Sequence, residues 1–168
     1  MNEKPTLNIV LVEPRIPQNT GNVARTCACT ACRLHLVGPM GFAIDDKKAQ
    51  ACGSGLLALP RHQLLRQSGR VLCQKQRPLL LFYHQGTAAL HRCELPGRCI
   101  PRVRSRGCRP AEALLAANQE HCIRMPMRDT CRSLNLSNSV AVGVYEVLRQ
   151  WDFPELLDHG QFRDYEWK

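Results

Sequence analysis

The sequence predicts an α/β protein whose parallel sheet is flanked by helices. Three stretches support this prediction: an apolar run near the start, a helix and second short strand after it, and an amphipathic helix near the end. A strand–helix–strand unit is the usual connection between parallel strands of one sheet. The 168 residues, 44% of them apolar, suffice for a substantial core. We therefore expect a single domain over residues 1–168.

The first 37 residues contain one such unit. The run "LNIVLVEP" is apolar, rich in strand-forming residues and closed by a turn, which is typical of a buried parallel strand. A helix is expected over residues 20–32, with Asn19 or Thr20 as its N-cap. Its apolar residues recur at helical spacing, at Val23, Ala24, Cys27 and Ala31. The run "LHLV" then predicts the second strand, over residues 34–37.

The end of the chain is equally regular. The run "CIRMPM" predicts a short strand stopped by Pro126, and "RDTCRSLNLSNS" predicts a polar loop. A helix follows over "VAVGVYEVLRQW", with an N-cap from Ser137, Asn138 or Ser139. Its apolar face is set by side chains spaced as on a helix, namely Val140, Val144, Val147, Leu148 and Trp151.

The middle of the chain, residues 52–110, differs from both ends. Only "LLLFY" reads as a strand, and neither a helical nor a strand period is clear elsewhere. Residues 1–51, 52–110 and 111–168 carry formal charges of +2, +10 and −3, so the basic charge is concentrated here. Five arginines and no acidic residue stand in "LPGRCIPRVRSRGCRP". A selected RNA-binding patch would explain this charge.

The ten cysteines do not form a disulfide framework by their spacing. The cluster "TCACTAC" holds Cys27, Cys29 and Cys32, but no fourth ligand stands at a recognised zinc spacing, so we favour thiols in a small-residue helix over a metal site. No signal-peptide pattern and no apolar run of about 18 residues is present, so we expect no membrane association. These features together predict a cytoplasmic protein.

The flanks resemble a known enzyme family. The stretches "LNIVLVEPRIPQNTGNVAR", "RLHLVGPMGFAIDDKK" and "IRMPMRDTCRSLNLSNSVAVGVYEVLRQ" are similar to the SPOUT-class RNA 2'-O-methyltransferases, and most similar to the small subfamily that methylates the wobble ribose of tRNA. The resemblance implies a C-terminal trefoil knot, the cofactor S-adenosyl-L-methionine, a tRNA anticodon stem-loop as substrate and a homodimer as the working unit.

The resemblance also implies functional positions. Arg25 matches the arginine of the family's first motif and is expected to stabilise the reacting oxygen or orient a phosphate; its alternative interpretation is a solvated helix residue. Asn19 is a substrate contact or a helix cap, and Tyr145 reaches the partner's site or only packs. The implied cofactor positions are Met125, Ser133, Asn138, Phe82 and Arg104. The loop "SLNLSN" can hold a nucleoside with Leu134 packed on the adenine face, and its alternative interpretation is a segment that only caps the helix. Arg104 stands where the family has glycine.

The middle segment lacks two family features, a strand ending in Thr-Lys and a loop reading roughly F-G-P-E-x-R-G-L-P. Back-translating residues 83–105 and reading one base later permits "TTKGRQPYTDVSYPGDAFLVFGP", and residues 49–62 likewise permit "LKRAGLDYWHCLDI". Both resemble the missing family text. We hypothesise that a frameshift, in the gene or its sequencing, replaced about residues 49–110, in which case the arginines were not selected to bind RNA.

Two functions remain open from the sequence. The first is methyl transfer from S-adenosyl-L-methionine to the ribose 2'-hydroxyl of the wobble cytidine or uridine, nucleotide 34 of tRNA. The second is a catalytically impaired, frameshifted product that binds RNA nonspecifically through its basic middle segment. The first predicts cofactor binding, and the second predicts salt-sensitive RNA binding without it.

Overall fold

The computed structural model describes residues 6–42, 63–65, 79–82, 88–94, 100–104, 119–157 and 159–160. Two helices, seven strands and two short 3-10 turns lie in these ranges. The strands are β1 (Asn8–Val12), β2 (Arg33–Val37), β3 (Gln63–Leu65), β4 (Leu79–Phe82), β5 (Ala88–Ala89), β6 (Ile100–Arg104) and β7 (Cys122–Arg124). The helices are α1 (Pro17–Cys29) and α2 (Leu136–Gln150), and the turns are Leu90–Arg92 and Gln119–His121.

The described strands form one sheet in the order β3-β2-β1-β6-β4-β7-β5, and all their pairings are parallel. The predicted β1–α1–β2 unit is confirmed, with Asn8 beside Arg33 and Val12 beside Val37. Because the strands are parallel, their carboxyl ends meet at one edge of the sheet. That edge gathers the loops after β1, β2 and β7.

The chain changes direction across the sheet at β1. It runs outward from β1 through β2 to β3. The later strands lie on the other side of β1, and β6 is the one that pairs with it. In open α/β sheets such a reversal leaves a crevice at the carboxyl ends of the strands, where ligands bind. The β1–β6 boundary, where Val12 lies beside Arg104, therefore marks the expected ligand edge.

Four of the described strands lie within residues 52–110, whereas the sequence indicated only the one at "LLLFY". The basic stretch supplies β6, which pairs with β1 on one side and β4 on the other. Its sequence, "IPRVR", is unusual for that place, because strands inside parallel sheets are normally continuous apolar runs and proline cannot donate to the ladder. This strand is therefore defined by its pairing with two apolar neighbours, because its own sequence shows no strand periodicity.

Helix α1 begins and ends earlier than the sequence predicted. Its N-cap is Ile16, with proline in the first turn, so the predicted caps Asn19 and Thr20 lie inside the helix. Proline suits this position because the first amides of a helix have no internal acceptor. At the other end Ala31 adopts a left-handed φ of 54°, which stops the helix before Cys32.

Helix α2 is capped by Asn135, and the predicted caps Ser137, Asn138 and Ser139 lie inside the helix. The Asn135 side-chain oxygen accepts hydrogen bonds from the backbone amides of Ser137 at 2.9 Å and Asn138 at 3.4 Å. The helix therefore starts at Leu136, four residues before the apolar periodicity becomes visible. The predicted apolar face is confirmed for its four aliphatic members, which are buried, while Trp151 is half-buried.

Both helices pack on the same face of the sheet. One hydrophobic cluster joins Ile9 and Leu11 of β1 to the apolar residues of α1 and α2, and Val23 and Val147 are completely buried in it. Each such side chain contributes about 1.5–3 kcal/mol to folding. This shared core fixes α1 beside α2.

Two cysteines of "TCACTAC" are part of this core. Burial raises the pKa of the Cys32 thiol to about 11 and also raises the pKa of Cys27. Both therefore stay protonated at neutral pH. In the described parts of the chain, no group of three or more His, Cys, Asp or Glu side chains is arranged to hold a metal ion.

The carboxyl half of α2 is tied to the segment after β5. Gln150 donates a hydrogen bond from Nε2 to the carbonyl oxygen of Cys93 at 2.9 Å and another to Glu146 at 2.8 Å. Arg149 binds Glu146 through two nitrogens at 3.0 Å each. Hydrogen bonds from Arg149 and Gln150 hold the pKa of Glu146 at about 2, so its charge is present across the physiological range.

The cap of α2 can be tested by substitution. Asn135→Ala removes the acceptor for two helix amides and should lower the free energy of unfolding by about 1 kcal/mol. Asn138→Ala is the matched control, since its exposed side chain is not the cap, and should change the free energy by less than about 0.5 kcal/mol. Urea denaturation measures both. A larger loss of unfolding free energy for Asn138→Ala than for Asn135→Ala would show that Asn135 is not the cap.

Candidate active site

The carboxyl edge of the sheet collects positions that the sequence predicted from separate parts of the chain. Phe82 ends β4, Arg104 ends β6, and Met125 directly follows β7, where it is buried in the core. Phe82 pairs with Ile123, and Arg104 pairs with Val12. The predicted cofactor positions on strands are thus neighbours along one edge.

A side-chain hydrogen bond joins the first turn of α1 to the loop before α2. Asn135 donates from Nδ2 to Oδ1 of half-buried Asn19 at 3.1 Å. The other end of the Asn135 amide is fixed, because its oxygen accepts from the Ser137 amide and from the Ser137 hydroxyl at 2.7 Å. Capping therefore orients the Asn135 nitrogen toward Asn19. The start of α1 and the start of α2 are held together at this edge.

The loop before α2 presents its residues outward. Ser133 is exposed, and Leu134 is 45% exposed despite its apolar side chain; Asn138, in the first turn of α2, is also exposed. An exposed leucine can cover the face of a flat heterocycle, while backbone groups of a loop can bind its polar edge. This is the chemistry that a nucleoside-binding loop requires.

Arg25 lies on the exposed side of α1, and Asn22, one turn earlier, is also exposed. Within the described parts of the chain its guanidinium makes no hydrogen bond or ion pair. It lies on the helix that packs against α2, on the same face of the sheet. Its expected orientation toward Ser133 stays a prediction.

Tyr145 is separated from this loop within its own chain. It is 50% exposed and its ring contacts Phe153, with centroids 6.4 Å apart. A helix rises 1.5 Å per residue, which puts Tyr145 about 15 Å beyond Asn135 along α2. One chain therefore does not bring Tyr145 to Asn19 or Ser133.

A cleft at the same edge was missed by the sequence reasoning. It has a volume of about 350 Å³ and is lined by Glu13, Arg15, Pro39, Met40 and Gly41. These residues follow β1 and β2 directly, in "VEPR" and "GPMGF". Their place after two predicted parallel strands was the signal that could have identified them.

No helix in the described part of the chain is long and apolar enough to cross a membrane.

Comparison with known proteins gives one consistent result. The family model of the SpoU rRNA methylases matches residues 6–96. The tRNA (cytidine(34)-2'-O)-methyltransferase of Escherichia coli K12 is 41% identical over 155 residues, covering 88% of this chain and 96% of the relative.

Two solved structures extend this result to the fold. One, described as giving structural insights into the 2-OH methylation of C/U34 on tRNA, has a TM-score of 0.81 and 29% identity, and the match covers 90% of this chain and 94% of the other. The SpoU methyltransferase AviRb from Streptomyces viridochromogenes, in complex with AdoMet, has a TM-score of 0.74 at 17% identity, over 90% of this chain and 60% of the other. The predicted resemblance is thus confirmed, and the chain belongs to the SpoU methylase family.

Proposed function

We propose that this protein transfers a methyl group from S-adenosyl-L-methionine to the 2'-hydroxyl of the wobble nucleotide, cytidine or uridine 34, of tRNA. The observation that carries the proposal is the Asn135–Asn19 hydrogen bond, which joins α1, the helix that carries Arg25, to the loop before α2. The E. coli relative bears the name of this activity, and the structure concerned with C/U34 methylation has the same fold.

The cofactor would be held by the loop before α2 and by the strand ends beside it. Leu134 is exposed for contact with the adenine face, and Ser133 and Asn138 flank it with polar groups. Met125 closes the base of the site from the core, while Phe82 and Arg104 stand at the ends of adjacent strands. S-adenosyl-L-methionine supplies an electrophilic methyl group on a sulfonium.

The chain's own residues would act mainly by alignment. A ribose hydroxyl is a poor nucleophile at neutral pH, so placing it in line and stabilising its developing negative charge lowers the barrier. The Arg25 guanidinium is suited to that charge or to the adjacent phosphate. Asn19, fixed by Asn135, would orient the substrate beside it.

We propose that the single domain closes with a trefoil knot at its C-terminal end. The support is the sheet order: β7 is the last of the described strands, yet it pairs with β4 on one side and β5 on the other. The last described strand thus returns between two earlier ones, an order that is consistent with a chain end passing through an earlier loop. The Gln150–Cys93 hydrogen bond is a further contact between these segments.

We propose that the working unit is a homodimer formed through the outer face of α2. Val142 is 51% exposed, and it lies one turn from Tyr145, whose ring contacts the 36%-exposed Phe153. A second copy covering this face would bury these apolar groups and bring Tyr145 toward the partner's site. The substrate would be the tRNA anticodon stem-loop, and the free thiols among the described cysteines are compatible with the reducing cytoplasm.

The position of β6 supports the frameshift hypothesis on physical grounds. The printed "IPRVR" puts a proline and two arginines into a strand with neighbours on both sides. Read one base later, the same five codons permit "FLVFG", which is apolar and free of proline, as an interior parallel strand should be. The shifted text therefore suits this strand better than the printed text does.

Substitution of Arg25 tests its assigned role. In whichever chain transfers methyl faster, printed or frame-restored, Arg25→Ala should lower kcat by about 10²–10³ because charge stabilisation in the transition state is lost. Binding of S-adenosyl-L-methionine, measured by calorimetry, should be unchanged. Arg33→Ala, at the amino end of β2, is the control and should keep full activity. A fall of less than about threefold for Arg25→Ala would remove it from the mechanism.

A comparison of two chains tests the reading frame. The printed protein should bind S-adenosyl-L-methionine weakly or not at all, because Arg104 brings a cation where the family has glycine, against a cofactor that is itself positive. A chain with "DAFLVFGP" restored should bind it and methylate nucleotide 34. Calorimetry and a methyl-transfer assay on both chains measure this, together with resequencing of the coding DNA. Equal binding and activity would refute the frameshift hypothesis.

The proposed interface predicts a change in oligomeric state. Val142→Glu places a charge on the outer, exposed face of α2 and should convert a dimer into a monomer, as measured by light scattering. Arg33→Glu is the control: it introduces the same glutamate, with a larger change of charge, at another exposed position and should stay dimeric. A monomeric unmodified protein, or a dimer unaffected by Val142→Glu, would contradict the interface.

A further inference from the structure

The cleft lined by Glu13, Arg15, Pro39, Met40 and Gly41 is built by the loops that follow β1 and β2. Two backbone hydrogen bonds clamp these loops together. The Glu13 amide donates to the Val37 carbonyl oxygen at 2.7 Å, and the Gly41 amide donates to the Pro14 carbonyl oxygen at 3.0 Å. The walls of the cleft are thus fixed by the main chain.

Two further features constrain the cleft. Glu13 has a left-handed φ of 47°, a conformation that costs a residue other than glycine energy and that concentrates at functional sites. A Cβ at Gly41 would come within 3.0 Å of the Arg15 Cα and 3.3 Å of its Cβ and Cγ. A side chain at position 41 would require Arg15 to move by a few tenths of an ångström, so glycine favours this close approach of the two loops.

The cleft lies next to the site already described. Glu13 directly follows Val12, which pairs with Arg104 across the β1–β6 boundary. Arg15 stands just before α1, whose first turns contain Asn19. The volume of about 350 Å³ is within the range of about 300–1,000 Å³ for small-molecule sites. Because Arg15, Pro39 and Gly41 are exposed, the cleft is accessible to a nucleotide still attached to RNA on both sides.

We propose that this cleft receives the nucleotide to be methylated, and that Glu13 reads its base while Arg15 binds a neighbouring phosphate. The proposal rests on the proposed function and names how that site recognises its substrate. Pro39 and Met40 supply apolar surface for the face of a pyrimidine. An ionised carboxylate only accepts hydrogen bonds, so Glu13 favours the 4-amino group of cytosine and repels the O4 carbonyl of uracil. The guanidinium of Arg15 suits phosphate regardless of the base.

The test is a binding comparison with the full-length protein. Two fluorescent anticodon stem-loops, identical except for cytidine or uridine at nucleotide 34, are titrated by anisotropy. The unmodified protein should bind the cytidine form about fivefold to tenfold more tightly. Glu13→Gln keeps a side chain of similar size at the same left-handed φ. Its amide group, however, offers both a hydrogen-bond donor and an acceptor. Its preference should fall to less than about twofold.

Two variants separate base reading from general binding. Arg15→Gln should weaken both stem-loops equally, keep the cytidine preference and reduce the salt slope of binding by about one. Glu155→Gln is the matched control for Glu13→Gln: it makes the same chemical change at an exposed residue with a left-handed φ of 65°, beyond the far end of α2. It should leave the preference unchanged.

The outcomes distinguish this inference from the proposed function. Equal affinity of the unmodified protein for both stem-loops, or a preference that Glu13→Gln leaves intact, would overturn the cleft assignment even if nucleotide 34 is methylated. A cytidine preference that Glu13→Gln abolishes supports the assignment even if a parallel assay detects no methyl transfer, a result that would count against the proposed function alone. Thermal unfolding monitored by circular dichroism verifies that each variant is folded.

Discussion

The packing of α1 against α2 is the constraint on which the candidate site depends. Val23, Ala24 and Cys27 of α1 share one buried cluster with the aliphatic face of α2. The exposed Asn135–Asn19 hydrogen bond contributes about 0.5–1.5 kcal/mol, less than the burial of one or two of these side chains. Packing therefore supplies the energy that keeps the helices together. The asparagine pair supplies the specific alignment of their first turns.

The parallel sheet determines which loops lie beside the first turns of α1 and α2. Every described pairing is parallel, so the loops after β1, β2 and β7 open at one edge. The same edge holds the ends of β4 and β6 and the start of α2. Glu13 and Arg15 line its β1–β2 end, while Met125 follows β7 farther along the sheet. Substrate recognition and cofactor binding can thus occupy adjoining parts of one edge without a second domain.

The sequence predicted the elements with strong local patterns and missed those defined by distant contacts. The β1–α1–β2 unit and the buried face of α2 followed from periodicity, because burial of one face requires it. The cap at Asn135 precedes that periodicity. Ser137 and Asn138 have side chains that can accept hydrogen bonds from nearby backbone amides in the same way, so the sequence alone did not distinguish them from Asn135. Strand β6 has no pattern of its own and is specified by its neighbours. The pairing of Asn19 with Asn135, and the cleft at Glu13, arise from residues brought together only by the fold.

The most direct test of the central claim is the location of the transferred methyl group. Unmodified tRNA is incubated with isotopically labelled S-adenosyl-L-methionine and with the printed and the frame-restored chains in parallel, and nuclease fragments are then analysed by mass spectrometry. A single label on the ribose of nucleotide 34, resistant to alkaline cleavage at that position, is the expected result for the more active chain. A label on a base or on another nucleotide, or no label with either chain, would contradict the assignment of this edge of the sheet to wobble-ribose methylation.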